Sequence, residues 1–176
     1  MKRFPLCLVL LALFGAAFAA PPSAASLLDQ AKSQASRERK NVLVIFHASW
    51  CGWCHRLDET FLADKEMGKL VNDSFVVLHL DVLEHGDKKS LENAGGEELM
   101  GQWGGKESGL PFLVVLNSKG TKLMDSNRTG DARSNIGYPA QPQEIGHFVK
   151  MLRTSARFKD LQAKKVEDWL TAHAPK

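Results

Sequence analysis

The stretch Asn41-Val42-Leu43-Val44-Ile45-Phe46-His47-Ala48-Ser49-Trp50-Cys51-Gly52-Trp53-Cys54-His55 decides the fold. Its first half, Val42 to Phe46, is an unbroken β-branched and apolar run of strand length, which suits a strand buried on both faces. Its second half sets two cysteines three residues apart, where the strand pattern gives way to a helical one. A helix N-terminus favours anions, because its unpaired amides and macrodipole stabilise a thiolate. Cys51 is therefore expected to ionise below the pKa of about 8.5 of a free thiol. Cys54 shares the same helical face. Once Cys51 has attacked a disulfide, Cys54 can attack Cys51 and release the reduced product. Gly52-Trp53 between them lacks proline, so this turn is less rigid than one that has it.

Working outward, Leu57, Phe61, Leu62, Met67, Leu70 and Val71 recur at helical spacing, predicting a helix from Gly52 to Val71 in two pieces around Ala63-Asp64. Phe75 to Val82 reads as a second apolar strand. On the N-terminal side, Leu27, Leu28, Ala31 and Ala35 predict an amphipathic helix over Ser26 to Arg39, broken at Asn41. Glu84 to Gly109 is polar and Gly-rich, a connection with one short helix around Glu97 to Trp103. Pro111 opens a third strand, Phe112 to Leu116. The turn Asn117-Ser118-Lys119-Gly120 folds it back into a fourth, Thr121 to Met124, as an antiparallel hairpin. Ser126 to Pro142 is a long loop, followed by helical patterns at Gln143 to Arg153 and Phe158 to Ala172. In the last of these, Phe158, Leu161, Val166, Trp169 and Leu170 make a one-sided pattern. It is expected to pack on the flank of the domain, a dimer contact being the alternative. Strands alternating with helices and closing on a hairpin predict an α/β fold, a central mixed sheet with helices on both faces.

The chain has 176 residues, 44% hydrophobic and 24% charged. That composition suits one globular domain and excludes disorder, coiled coil and a multi-span membrane protein. Lys2 and Arg3 precede an apolar run from Leu6 to Ala19 that ends Ala17-Phe18-Ala19, so residues 1–19 read as a secretory signal peptide. The run is shorter than the roughly 20 residues that span a bilayer. Cleavage after Ala19 removes Cys7 and leaves one domain, residues 20–176, holding Cys51 and Cys54 alone. It also leaves 21 basic against 20 acidic residues, spread along the chain, so no nucleic-acid stripe forms.

With these features in place, Ser26 to Arg153 resembles the thioredoxin superfamily, with Phe158 to Ala172 as a C-terminal helical extension. Four features carry the resemblance: the strand Val42 to Phe46, the Trp50-Cys51-Gly52-Trp53-Cys54 motif, the strand ending at Asp81, and Gly109-Leu110-Pro111 before the hairpin. The run Glu59 to Asp64, with Phe75 to Leu78 and Asp81-Val82, looks more like periplasmic thiol-disulfide domains than cytosolic thioredoxin. The resemblance implies a thiol-disulfide oxidoreductase in the periplasm or secreted. Cys51 would attack and Cys54 resolve. A cis Pro111, with Leu110, would orient the substrate chain, and Trp50 and Trp53 would rim the site. No dissociable cofactor is needed, because the electrons reside in the cysteine pair. Partners would be protein thiols or disulfides and a membrane-bound redox partner, and the direction, reduction or oxidation, stays open.

Departures from the family pattern are equally specific. The buried acid six residues before the first cysteine is Ile45 here, its companion lysine is Val77, and the kinking proline of the helix is Glu59. Proton transfer from Cys54 then falls to water, His47 or His55. Three other readings compete. Cys51 to His55 also spells the C-x-x-C-H attachment signature of c-type haem. Two thiolates with nearby histidines suit zinc or copper delivery, although no metal site is assigned. A non-catalytic binding module with a structural disulfide is the third. His79, His85, His147 and His173 read as packing or surface residues, Trp103 as core cover. The Ser126 to Pro142 loop reads either as a determinant of partner choice or as an insertion that packs Tyr138.

Overall fold

A computed structural model describes residues 20–175. The signal-peptide reading of residues 1–19 lies outside the described residues. The elements run α1 (Ala24–Glu38), β1 (Asn41–His47), α2 (Gly52–Arg56), a π-helical segment (Leu57–Leu62), α3 (Lys65–Ser74), β2 (Phe75–Asp81), α4 (Gly96–Gln102), β3 (Phe112–Leu116), β4 (Lys122–Asp125), α5 (Pro142–Leu152) and α6 (Asp160–Ala172). The sheet order is β2-β1-β3-β4, with β1 parallel to β2 and antiparallel to β3, and β3 antiparallel to β4. The mixed sheet and the hairpin are as the sequence predicts. Asn117 Oδ1 caps the hairpin by accepting from the Lys119 and Thr121 amides, and Gly120 supplies the positive φ of 87°.

Strand β1 explains its own composition. Val42, Val44 and Phe46 face α1 and α4 together with Leu80, Met100, Phe112 and Val114. Leu43 and Ile45 face the other way, into a core made with Leu57, Phe61, Phe75, Leu113, Phe148 and Leu152. Each such side chain contributes about 1.5–3 kcal/mol on burial. The site therefore grows from a strand end anchored on both faces.

The helix after the cysteines changes pitch. The Ala63 amide donates to the Asp58 carbonyl, five residues back, at 2.9 Å, and the Thr60 hydroxyl donates to the Arg56 carbonyl at 2.6 Å. This widened turn occupies the place of the missing proline. The Asp64 carboxylate then restarts the helix, accepting from the Glu66 and Met67 amides at 2.9 Å. Gly68 lets α3 pass the end of the π-helical segment, since a Cβ there would run into the Leu62 carbonyl oxygen.

One expectation is corrected. Helix α6 begins at Asp160, not Phe158, which puts Leu161 on the outer side, 68% exposed. Phe158 and Ala163 are both buried across the N-cap Lys159, the arrangement of a hydrophobic staple, and Val166 and Leu170 complete the buried face. Trp169 meets Phe61 edge-on at 5.5 Å. The apolar side of the extension is thus spent on the domain's own core. Among the described residues no helix is long and apolar enough to cross a membrane.

Candidate active site

Cys51 is the N-cap of α2, and its Sγ accepts the Cys54 amide at 3.1 Å. The two sulfurs form a disulfide with Cα atoms 5.2 Å apart. Both are covered, Cys51 to 4% exposure and Cys54 to 1%, in a small cluster with Ala48 and the partly buried Leu110. The Leu110–Pro111 bond is cis, as the family resemblance implies. Trp50 and Trp53, each 50% exposed, stand on either side of Cys51 and Gly52 in the sequence.

Two walls hold these tryptophans. The first is the turn after β2. Leu83 takes a left-handed conformation, φ 55°, and its carbonyl accepts the Trp50 indole N–H at 2.7 Å. His85 stacks on the Trp50 ring at 5.1 Å. Between them Glu84 is 1% exposed, and its carboxylate accepts the Ser49 amide at 2.6 Å and the Ser49 hydroxyl at 2.8 Å. Burial alone would raise its pKa. The two Ser49 hydrogen bonds, with Lys88 and His47 nearby, hold it below the usual carboxylate range instead.

The second wall is the long loop after β4. Tyr138 is buried, with its ring stacked on Trp53 at 5.8 Å and the Arg56 guanidinium over it at 5.3 Å. Asn135 Nδ2 donates to the carbonyls of Gly109, at 2.6 Å, and Pro111, at 3.1 Å, and so brackets the cis peptide. Trp53, Leu110, Arg133, Asn135, Ile136 and Tyr138 are among the residues lining a groove of about 460 Å³ there. The loop packs Tyr138, as one reading of it expects, and also forms one side of the groove.

The histidines separate. His55 Nε2 lies 2.9 Å from the Ser49 carbonyl and its Nδ1 3.7 Å from Glu59, on the exposed side of α2. His47 ends β1 with Nε2 3.2 Å from Asp81. His79, read from sequence as a packing or surface residue, pairs with Asp58 of the π-helical segment at 2.9 Å. The His47 and His79 rings meet edge-on at 5.0 Å, so four titratable groups gather on the sheet face that Ile45 shares. The place of the missing acid is apolar, as expected, but a polar cluster stands two residues further along each strand. Burial pushes the His47 pKa down, opposed by Asp81. Burial thereby favours its neutral form. Sequence reading missed Glu84, Asn135 and the Asp58–His79 pair. Asp64 before a helical restart is the kind of local signal they lack.

Comparison with known proteins adds three findings. A 59-residue segment, 34% of this chain, is 31% identical to spermatogenesis-associated protein 20 of Mus musculus and 33% identical to that of Rattus norvegicus. The segment spans 8% of each relative's length. Two solved structures share the fold. The disulphide isomerase from Xylella fastidiosa Temecula1 is 21% identical over 89% of this chain and 98% of its own, with a TM-score of 0.52. The DsbH oxidoreductase is 19% identical over 76% and 87%, with a TM-score of 0.50. The thioredoxin-like family pattern matches residues 24–118, more than half the chain, from α1 through β3 with the cysteine pair inside it, and the protein belongs to that family.

Proposed function

We propose that the protein is a periplasmic thiol-disulfide oxidoreductase acting on protein substrates, with Cys51 as nucleophile and Cys54 as resolving thiol. The observation that carries this is Cys51 at the cap of α2, its sulfur receiving the Cys54 amide, packed against Leu110 of the cis Leu110–Pro111 bond and flanked in sequence by two half-exposed tryptophans. In the reducing direction, the Cys51 thiolate attacks one sulfur of a substrate disulfide and expels the other as a thiolate. The Cys54 thiolate then attacks Cys51 Sγ, expels the second substrate sulfur, and leaves the protein oxidised. Two electrons pass to the substrate. The oxidising direction is the reverse. His47 is the candidate acceptor of the Cys54 proton, being partly buried at the end of β1. Leu110 and Trp53 face the substrate chain.

Delivery to the periplasm would be by residues 1–19, on the strength of Lys2, Arg3 and the apolar run that follows. A membrane-bound redox partner would reset the pair. The low exposure of both sulfurs favours a second reading, a structural disulfide in a binding module. The reduction potential separates them: a value near about −270 mV marks a reductant, near about −120 mV an oxidant, and below about −300 mV a structural bond. Cys51→Ser is expected to abolish insulin-disulfide reduction, and surviving activity would sink the mechanism.

A further inference from the structure

Glu84 is a buried carboxylate held against the segment that leads into the cysteine pair. Both polar groups of Ser49 donate to it, and Cys51 lies only two residues beyond. Two trans peptide units span at most about 7.6 Å between Cα atoms; with the Ser49 hydrogen bond and the reach of the cysteine side chain added, the charge sits within roughly 14 Å of the Cys51 sulfur. The groups around it do not cancel it. Lys88 donates its Nζ hydrogen bond to the Ser49 hydroxyl at 3.0 Å and acts on the carboxylate by charge from an exposed position. His47 lowers the Glu84 pKa less than Lys88 does, since burial favours its neutral form. Glu92 brings a second carboxylate against the Glu84 amide at 2.8 Å. His85 is turned onto Trp50, and His55 lies across the Ser49 carbonyl.

We infer that Glu84 is a positioning residue whose negative charge disfavours the Cys51 thiolate and so biases the Cys51–Cys54 pair toward the disulfide. The inference rests on reading Cys51 and Cys54 as a working redox pair. It gives this chain a buried acid that enters from the turn after β2 instead of from β1. A helix cap and an amide donor favour the thiolate at Cys51; Glu84 opposes them. A protein so balanced is a better reductant than its cap alone would make it.

The experiment compares wild type with Glu84→Gln and Lys88→Met. Glutamine can still meet both Ser49 groups, accepting from the amide and donating to the hydroxyl oxygen, so it removes charge while keeping shape. Two quantities are read: the ionisation of Cys51 by ultraviolet thiolate absorbance against pH, and the equilibrium in which the disulfide plus two glutathione gives the dithiol plus glutathione disulfide. A unit charge at about 10–14 Å through an effective dielectric near 20 changes an ionisation constant roughly tenfold. Glu84→Gln is therefore expected to raise the Cys51 ionisation constant about tenfold. It should shift the glutathione equilibrium toward the dithiol by up to the same factor, a rise of up to about 30 mV in potential. Lys88→Met, on the surface and safe for folding, must move both quantities the opposite way by a smaller factor. Values within twofold of wild type in both variants overturn the inference, as does a shift of the same sign in both. Insulin reduction by the wild type tests the proposed function separately, since the glutathione equilibrium is measurable whether or not a protein substrate turns over.

Discussion

Trp50 and Trp53 have the same exposure, stand on either side of Cys51 and Gly52, and are held in opposite ways. Trp50 is fixed by polarity: its indole N–H is taken by the Leu83 carbonyl and its face by His85. Among the described residues Trp53 is held by stacking alone, on a Tyr138 ring that Arg56 covers. The first ring is thereby part of the scaffold that sets Ser49 and Cys51. The second stands over a groove and can give way to a substrate chain. Equal exposure does not mean equal function, because what immobilises a ring decides whether it can be used for binding.

The strongest way to break this contrast is through the loop that supports Trp53. Asn135→Ala removes both donors that bracket Leu110–Pro111. It is expected to cost about 2 kcal/mol, a drop of about 5 °C in Tm by thermal melting, with a higher KM for a protein substrate. An unchanged Tm would mean that the loop merely rests on the cis-proline turn. Next comes the pair of tryptophans themselves. Trp50→Phe loses a hydrogen-bond donor and is expected to cost about 1 kcal/mol in denaturant unfolding while leaving KM unaltered. Trp53→Leu is expected to cost less in stability and to raise KM roughly fivefold, the effect of losing about 1 kcal/mol of binding. Matching behaviour in the two variants would erase the distinction between the rings.

The smallest effect is in pH. His47 has its pKa depressed in the folded protein by burial, with Asp81 pulling the other way. The unfolded chain therefore binds a proton first as pH falls. The contribution of this residue is fully present above the unfolded value of about 6.5 and is lost as the pH drops through the lower folded value. Unfolding curves taken across that window should slope for the wild type and flatten in His47→Gln; parallel curves would show that His47 has no part in the pH dependence.

Local signals carried most of the fold. The Val42–Phe46 run, the Asn117–Gly120 turn and Asp64 before a fresh helix each act on residues within a few positions, so their patterns are readable in one dimension. The cysteine pair and Pro111 were legible for the same reason, with the family resemblance supplying the cis bond. Glu84 was not, since its burial follows from the left-handed turn at Leu83, far along the chain from Ser49. Nor was Asp58–His79, because the meeting depends on the widened turn that replaces a proline. Leu161 falls on the exposed side because the apolar spacing that includes it starts at Phe158, a residue that lies before the helix.

Arg56 also donates to the His173 carbonyl at 3.1 Å, His173 stacks on Trp169 at 4.0 Å, and Pro175 lines the groove. The end of α6 is in this way a tether on the helix that carries the cysteines. Tension applied there, by a fused partner or a surface attachment, would be felt at Arg56 and, through Tyr138, at Trp53 before it disturbed the sheet.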